Sequence, residues 1–458
     1  MEKNNIIDIS KSAARLIEKR SMREYEIYSA SSVSNDIEIF DSEVESLSYA
    51  DEKGIGIRVF NDKAVGYSYT NMLDERSIEQ CIDSAILNSN ITHKDEYNHL
   101  PQDKDFCYSS HDFDKSILTD DSFFKYGVED KILIAKDLES RAKKIDKRIT
   151  AIDTLIYSDS YSNVSIINSD GFEDSYMTTS SFIYLNVISK QDKDTSTGDY
   201  FWAARSPKDL LIEEVAQKAA RRSLSLLGAK KIKSQVLDVI LENFVSSQFL
   251  GVIASVLSAD SVQKNKSLFK DKIGEKIFTL DLDIIDDGTM SEGFASRPFD
   301  AEGVPKGKTD VFHKGVLKTY LYDTYTARKH RTKSTGNAVR ASYKSTPSVG
   351  ISNFYLSPSE TDLASLIKSI DKGFFVTDII GLHSGANPIS GDISVGAKGI
   401  YIDNGELTYP IKEVTIATDI LTFCAKIEKV ASDIKFVPGS GYLGSPSILV
   451  KEISVSGI

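Results

Sequence analysis

Cysteine is scarce in this chain. Three occur in 458 residues, Cys81, Cys107 and Cys424, far apart and with no Cys-x-x-Cys among them. That excludes a disulfide scaffold and a zinc knuckle, and it suits a reducing compartment. Long apolar runs are missing too: nothing approaches the ~18 residues that a membrane-spanning helix needs. The opening stretch MEKNNIIDISKSAARLIEKR has no apolar segment long enough for a signal peptide. Positive charge is in deficit, with 55 basic against 67 acidic residues and a formal net charge of −12. A nucleic-acid binder draws much of its affinity from neutralising phosphates, so this balance argues against one. The two dense basic clusters, Lys230-Lys231 and Arg328-Lys329-His330-Arg331, read as solvated faces. The expectation is a soluble, cytoplasmic protein with no direct hold on membrane or nucleic acid.

Familiar catalytic signatures are also lacking. No G-x-S-x-G elbow occurs, and PGSGYLGSPS (438–447) has neither the spacing nor the following helix. The six histidines are His93, His99, His111, His313, His330 and His383. None pairs with another at helical spacing or with a nearby cysteine, so no zinc motif is visible. Gly54-Ile55-Gly56, followed by Arg58, continues in strand alternation without opening a helix, so the dinucleotide fingerprint fails and the glycines read as structural.

What is present is enough apolar residue, 41%, for a sizeable core in two or three domains. Residues 8–20 carry a helical stripe of Ala13, Leu16 and Ile17. From residue 25 the period becomes two, through Ile37/Ile39, Val44, Leu47/Tyr49, Ile55/Ile57/Val59 and Val65/Tyr67/Tyr69. Turns are expected at Asp51–Gly54 and Asn61–Lys63. A helix around Ile78 to Ile86 precedes a polar stretch over 88–120 that reads as an exposed connection. A second helix (128–145) and a second set of strands follow, with Asn168–Gly171 as a hairpin turn. SPKDLLIEEVAQKAARRSLSLLGAKK predicts one helix, started by Ser206-Pro207 and closed by Gly228. The boundary then falls near 230–235, giving an N-terminal domain over 1–232 and a C-terminal one over 233–458. The fold class is α+β: N-terminal helices packed on an antiparallel sheet, and a C-terminal β-rich, barrel-like domain with a few helices.

The segment HSGANPISGDISVGAKGIYIDNGELTYPI (383–411) combines His383 and Asp392 with five glycines ahead of a strand-like tail. Its glycines suit turns and close backbone approach, with Ile393, Val395 and Ile400 alternating inward and Asn404-Gly405 as a hairpin turn. A serine–histidine site using His383 stays open as an alternative.

Five segments of the second half, KSLFKDKIGEKIFTLDLDIIDDGTM (266–290), STGNAVRASY (334–343), DKGFFVTDIIG (371–381), SGDISVGAKGIYIDNGELTYPIKEVTIATDIL (390–421) and GSPSILVKEISVSG (444–457), resemble the TldD/PmbA family. EVESLSYADEKGIGIRVFNDKAVGYSYTN (43–71) is similar to that family's N-terminal sheet. The likeness spans nearly the whole chain in consistent order. It implies a cytoplasmic two-domain protein that assembles in pairs, one subunit a zinc peptidase and the other, of the PmbA or TldE type, its partner. The pair is linked to cleavage of unfolded or small peptides, including peptide-antibiotic maturation and release of a gyrase-directed toxin.

In the peptidase subunit a helix carries H-E-x-x-x-H, and a cysteine near the C-terminus completes the protein ligands. Placing SLFKDKIGE on the family's segment just beyond that helix puts the motif on Leu250, Gly251 and Ser255. Leucine has no lone pair for zinc, and glycine cannot move a proton. Residues 433–446 contain no cysteine, and Cys424 sits in an apolar run that suits a buried structural thiol. The resemblance therefore implies a non-catalytic PmbA/TldE-like subunit of a zinc metallopeptidase complex, with no cofactor of its own and zinc in a TldD-like partner. His383, Asp392 and Arg58 are the candidates for lining a peptide cleft. Two alternatives stay open: a homodimeric peptide-binding protein without catalysis, and an autonomous metallopeptidase using a non-standard site.

Overall fold

The computed structural model describes residues 6–109 and 112–458. Period-two alternation in the first half builds one six-stranded antiparallel sheet. Its strands are β1 (Tyr25–Phe40), β2 (Glu43–Asn61), β3 (Ala64–Thr70), β4 (Ile149–Asn168), β5 (Glu173–Gln191) and β6 (Asp194–Ala204). They lie in the order β3-β2-β1-β4-β5-β6, curled as a half-barrel. One face is covered by helices. α1 (Ile6–Glu18) and α2 (Glu75–Ile91) pack Leu16, Ile17, Ile78 and Ile82 on Ile27, Ile55 and Ile57. α3 (Val128–Ile145) and α4 (Ile212–Ser225) pack Leu138, Val215 and Ala219 on Ile37, Leu155, Tyr157 and Leu185. Each such apolar side chain taken out of water contributes about 1.5–3 kcal/mol.

Three local expectations give way to tertiary context. Asp51–Gly54 is not a turn: β2 runs through it, because β1 supplies partners from Ala30↔Gly54 to Val33↔Asp51. The helix expected from Ser206 breaks. Pro207–Asp209 is a 3-10 turn, and Leu211 (φ −82, ψ 69) makes a tight inverse γ-turn, with the Ile212 N–H bonding the Leu210 carbonyl, before α4 starts. That turn seats Leu210 in the core. Within the stretch 88–120, the segment 99–105 is anchored rather than free. Arg328 donates to the carbonyls of His99 (2.6 Å) and Leu100 (2.5 Å) and to the Asp105 carboxylate (2.6 Å). Arg328 is thus a clamp and no part of a solvated basic face.

The second half is built around β7 (Gln235–Leu241). With the strands Lys372–Ile380, Asp392–Asp403, Glu406–Asp419 and Ile448–Ser456 it forms a ring closed by pairing of Glu406–Asp419 with Ile448–Ser456. Asn404 and Gly405 turn the hairpin with φ of 50° and 76°. In Asp392–Asp403 the inward side chains are Ile393, Val395 and Ala397. Register shifts beyond Ala397 leave Ile400 half-buried and put Ile402 on the other face of the ring, where it is buried with Ile240, Phe375 and Leu449. α5 (Asn243–Val256) follows β7 and inserts Phe249, stacked on Phe423 at 5.0 Å, among Val239, Leu241, Ile416, Val450 and Ile453. Cys424 lies buried beside it, its thiol pushed up by burial. A second six-stranded sheet, from Ile284–Asp287 to the hairpin of Lys435–Pro438 and Tyr442–Ser445, flanks α5.

The halves meet through the open face of the N-terminal sheet, where Tyr28 and Ile166 pack on Phe299 and Tyr343. Gly54 and Gly56 are structural here: a Cβ at Gly54 would lie 2.2 Å from the Tyr343 ring, and one at Gly56 would lie 2.4 Å from the Tyr343 carbonyl. Among the described residues, no helix is long and apolar enough to cross a membrane.

Candidate functional site

α5 is apolar on most of its surface, so its position is set by core packing, and that packing decides which side chains reach solvent. Phe249, Leu250 and Ile253 enter the core. Gly251, Val252 and Ser255 face an open cleft of about 770 Å³. The opposite walls are the segment after Lys372–Ile380, with Leu382 and His383, and the hairpin tip from Val437 to Leu443. Gly381, at φ 81°, starts the short helix Leu382–Gly385 that carries His383. A Cβ on Gly385 would lie 2.1 Å from the Ser394 carbonyl, which holds this turn close to the neighbouring strand.

The three positions singled out by the sequence thus sit on one helix, but they differ in environment. Leu250 is 4% exposed and belongs to the core. Gly251 offers no side chain to the cleft, and an added Cβ would press on the end of Leu443, 3.0 Å from its Cδ1. Ser255 is exposed and donates its hydroxyl to the Val252 carbonyl at 2.7 Å, within its own helix.

The cleft's polar lining amounts to the His383 imidazole, the Ser255 and Ser440 hydroxyls and the Gln248 amide, with no carboxylate or thiolate. Zinc needs three or four nitrogen, sulfur or carboxylate ligands in fixed geometry, and this donor set does not supply them. Among the described residues, no three His, Cys, Asp or Glu side chains gather where they could hold a metal ion. His111 lies outside the described residues.

Of the three cleft candidates, the fold brings His383 to the cleft and leaves the other two elsewhere. Asp392 is exposed at the start of its strand, and its carboxylate accepts the Ser390 hydroxyl at 2.7 Å. The tight turns of 387–391 direct it into its own loop. Arg58 is only 8% exposed and belongs to the junction of the two halves. Its Nη2 donates to Glu26 at 2.6 Å and to Glu302 at 3.1 Å, while Arg340 pairs with the other oxygen of Glu26. Burial opposes the Arg58 charge, but the two carboxylates outweigh it and hold the guanidinium above its ordinary value. Strand alternation alone could not reveal this, because Glu302 and Arg340 come from the other half of the chain. The apolar lining, Val252, Ile379, Leu382, Val437 and Leu443, was also out of reach of pattern reading, since each looks like an ordinary core residue in its own segment.

Comparison with known proteins agrees with this geometry over the whole chain. Three consecutive family models match: PmbA/TldA metallopeptidase domain 1 over residues 25–89, the central domain over 121–227 and the C-terminal domain over 234–457. A metalloprotease PmbA homolog of Buchnera aphidicola subsp. Acyrthosiphon pisum is 28% identical over 435 residues, covering 94% of this chain and 93% of the relative. The homolog from Buchnera aphidicola subsp. Baizongia pistaciae is 31% identical over 335 residues, 73% of this chain and 71% of the relative. The crystal structure of a Thermotoga maritima protein, described as a candidate modulator of a DNA gyrase, superposes with a TM-score of 0.89. It has 28% identity and covers 98% of this chain and 99% of that one. The chain belongs to the TldD/PmbA family of metallopeptidase-like proteins, as a PmbA-type member.

Proposed function

We propose that this chain is the non-catalytic, PmbA/TldE-type subunit of a two-part, cytoplasmic zinc peptidase acting on peptides. The observation that carries the reading is the α5 wall of the cleft: Leu250 lies in the core, Gly251 has no side chain and Ser255 is bonded to its own helix, at the positions where the family resemblance places the peptidase subunit's two histidines and glutamate. On this reading the zinc and the general base reside in a TldD-like chain. This chain contributes a cleft whose apolar walls suit an uncharged peptide segment, with His383 as the polar contact.

The test is reconstitution. The purified chain, a TldD-like chain carrying H-E-x-x-x-H, and their mixture are each given an unfolded peptide substrate. Hydrolysis by the mixture, and none by this chain alone, is the expected outcome. Turnover by this chain alone after chelation would refute the reading. A stable homodimer that binds peptide and ignores the TldD-like chain would replace it with the binding-protein alternative.

A further inference from the structure

A second cavity, of about 630 Å³, lies between the two halves, on the other side of the hairpin that walls the cleft. It is lined by aromatic rings, among them Tyr200, Trp202, Phe294 and Tyr442, and by the carboxylates of Glu214, Glu292 and Asp433. In the wall of this cavity, packed under the rings, lies the ammonium group of Lys435. Its Nζ is 3.4 Å from the centroid of the Tyr200 ring, 5.3 Å from that of Phe201 and 5.8 Å from that of Trp202. It is out of contact with solvent and has no hydrogen-bond partner among the described residues. An amine held by ring faces alone, within a cavity that also offers carboxylates, is an incomplete use of the site. A cation is attracted by the negative face of each ring and gains more when an anion is also in reach.

We propose that this cavity is a binding site for a cationic side chain of a peptide, and that Lys435 is the internal occupant which such a ligand displaces. Lys435 enters the cavity on a strand, Lys435–Pro438, whose backbone is fixed by pairing with Tyr442–Ser445, so its amine reaches the rings but meets no carboxylate oxygen. A lysine or arginine on a free ligand has no such tether. It can rest on the same rings and turn its N–H groups to Glu214, which at present accepts only the Tyr200 hydroxyl (3.2 Å), or to Glu292. Asp433 is less available, since it already accepts from Ser447 and Asn243. The occupant is also readily discharged. Burial first, then Arg222 nearby, bring the Lys435 amine down to about 8, against the pull of Glu214 and Glu242 in the other direction. The peptide class of the ligand rests on the function proposed above, but the cavity and the cleft share no lining residue and meet only along α5 and the hairpin.

Trp202, the chain's single tryptophan, lines the cavity, so its emission reports occupancy without any label. The probes are Nα-acetyl-lysine amide and Nα-acetyl-norleucine amide, the same side chain without its amine, titrated into the full chain. The lysine compound is expected to give a saturable change and the norleucine compound to bind at least about fivefold more weakly. In Lys435→Met the lysine compound should bind about threefold to tenfold tighter, because the cage has been vacated. Raising the pH from about 7 to 9 should tighten binding to the wild-type chain as Lys435 loses its charge. Lys435→Met should lack that rise, although Glu214, Lys218, Arg222, Glu242, Glu292, Asp433 and Tyr200 still surround the site. Equal response to both probes would overturn the proposal, as would the absence of any saturable response in the wild-type chain. The wild-type comparison stands even if the variant fails to fold.

Discussion

At the scale of single residues, the most consequential group is one that the sequence leaves almost anonymous. Arg58 follows two glycines on β2 and reads as an ordinary strand residue. In the structure it is the shared cation of two buried carboxylates, one from each half of the chain. Two charges taken from water are tolerable when they satisfy each other, but deleting one strands the rest. Arg58→Met is therefore expected to destabilise the protein by about 3–5 kcal/mol, seen as a lower midpoint in urea or thermal unfolding. Little or no loss would mean that Arg340 alone supports Glu26 and that Glu302 finds another donor. At the same scale, the cleft's one imidazole is that of His383, and the Ser255 hydroxyl is bonded to its own helix.

At the scale of elements, α5 matters most. It begins where β7 ends, plugs the strand ring with Phe249 and presents its remaining face to the cleft. Phe249→Ala removes a fully buried ring stacked on Phe423 and should cost about 3–5 kcal/mol, read as a shifted denaturation midpoint with an unchanged slope. A change below about 1 kcal/mol would contradict the assignment of that ring to the core. The elements also show what could and could not be read in advance. Signals that depend on backbone conformation were legible: Gly171, at φ 93°, turns the hairpin between β4 and β5, and Asn404-Gly405 turns another. Signals that depend on a distant partner were not. Asp51–Gly54 is polar enough for a turn and becomes a strand because β1 is long. Leu211 breaks a helix whose propensity favours continuation, because Leu210 is drawn into the core. Of the site residues named from sequence, Gly251 and Ser255 on α5 and His383 line one cleft, whereas Leu250, Asp392 and Arg58 do not, and the 437–443 hairpin that completes it carried no signal of its own.

At the scale of the whole molecule, a helix-covered half-barrel is laid by its open face on a second half built around a closed strand ring. Glycines 54 and 56 permit the close approach, and the Glu26–Arg58–Glu302 cluster adds charge pairing across it. The candidate cleft and the aromatic cavity lie on either side of one hairpin, so on the two proposals above separate parts of a peptide meet this chain at separate places. On the proposed reading, the cleft holds peptide and leaves metal and base to another chain. The most direct check is the metal content of the chain purified alone and dialysed against zinc-containing buffer, measured by mass spectrometry beside a TldD-like chain treated identically. The account predicts close to one zinc per TldD-like chain and far less than one on this chain. One tightly held zinc per copy of this chain would contradict it.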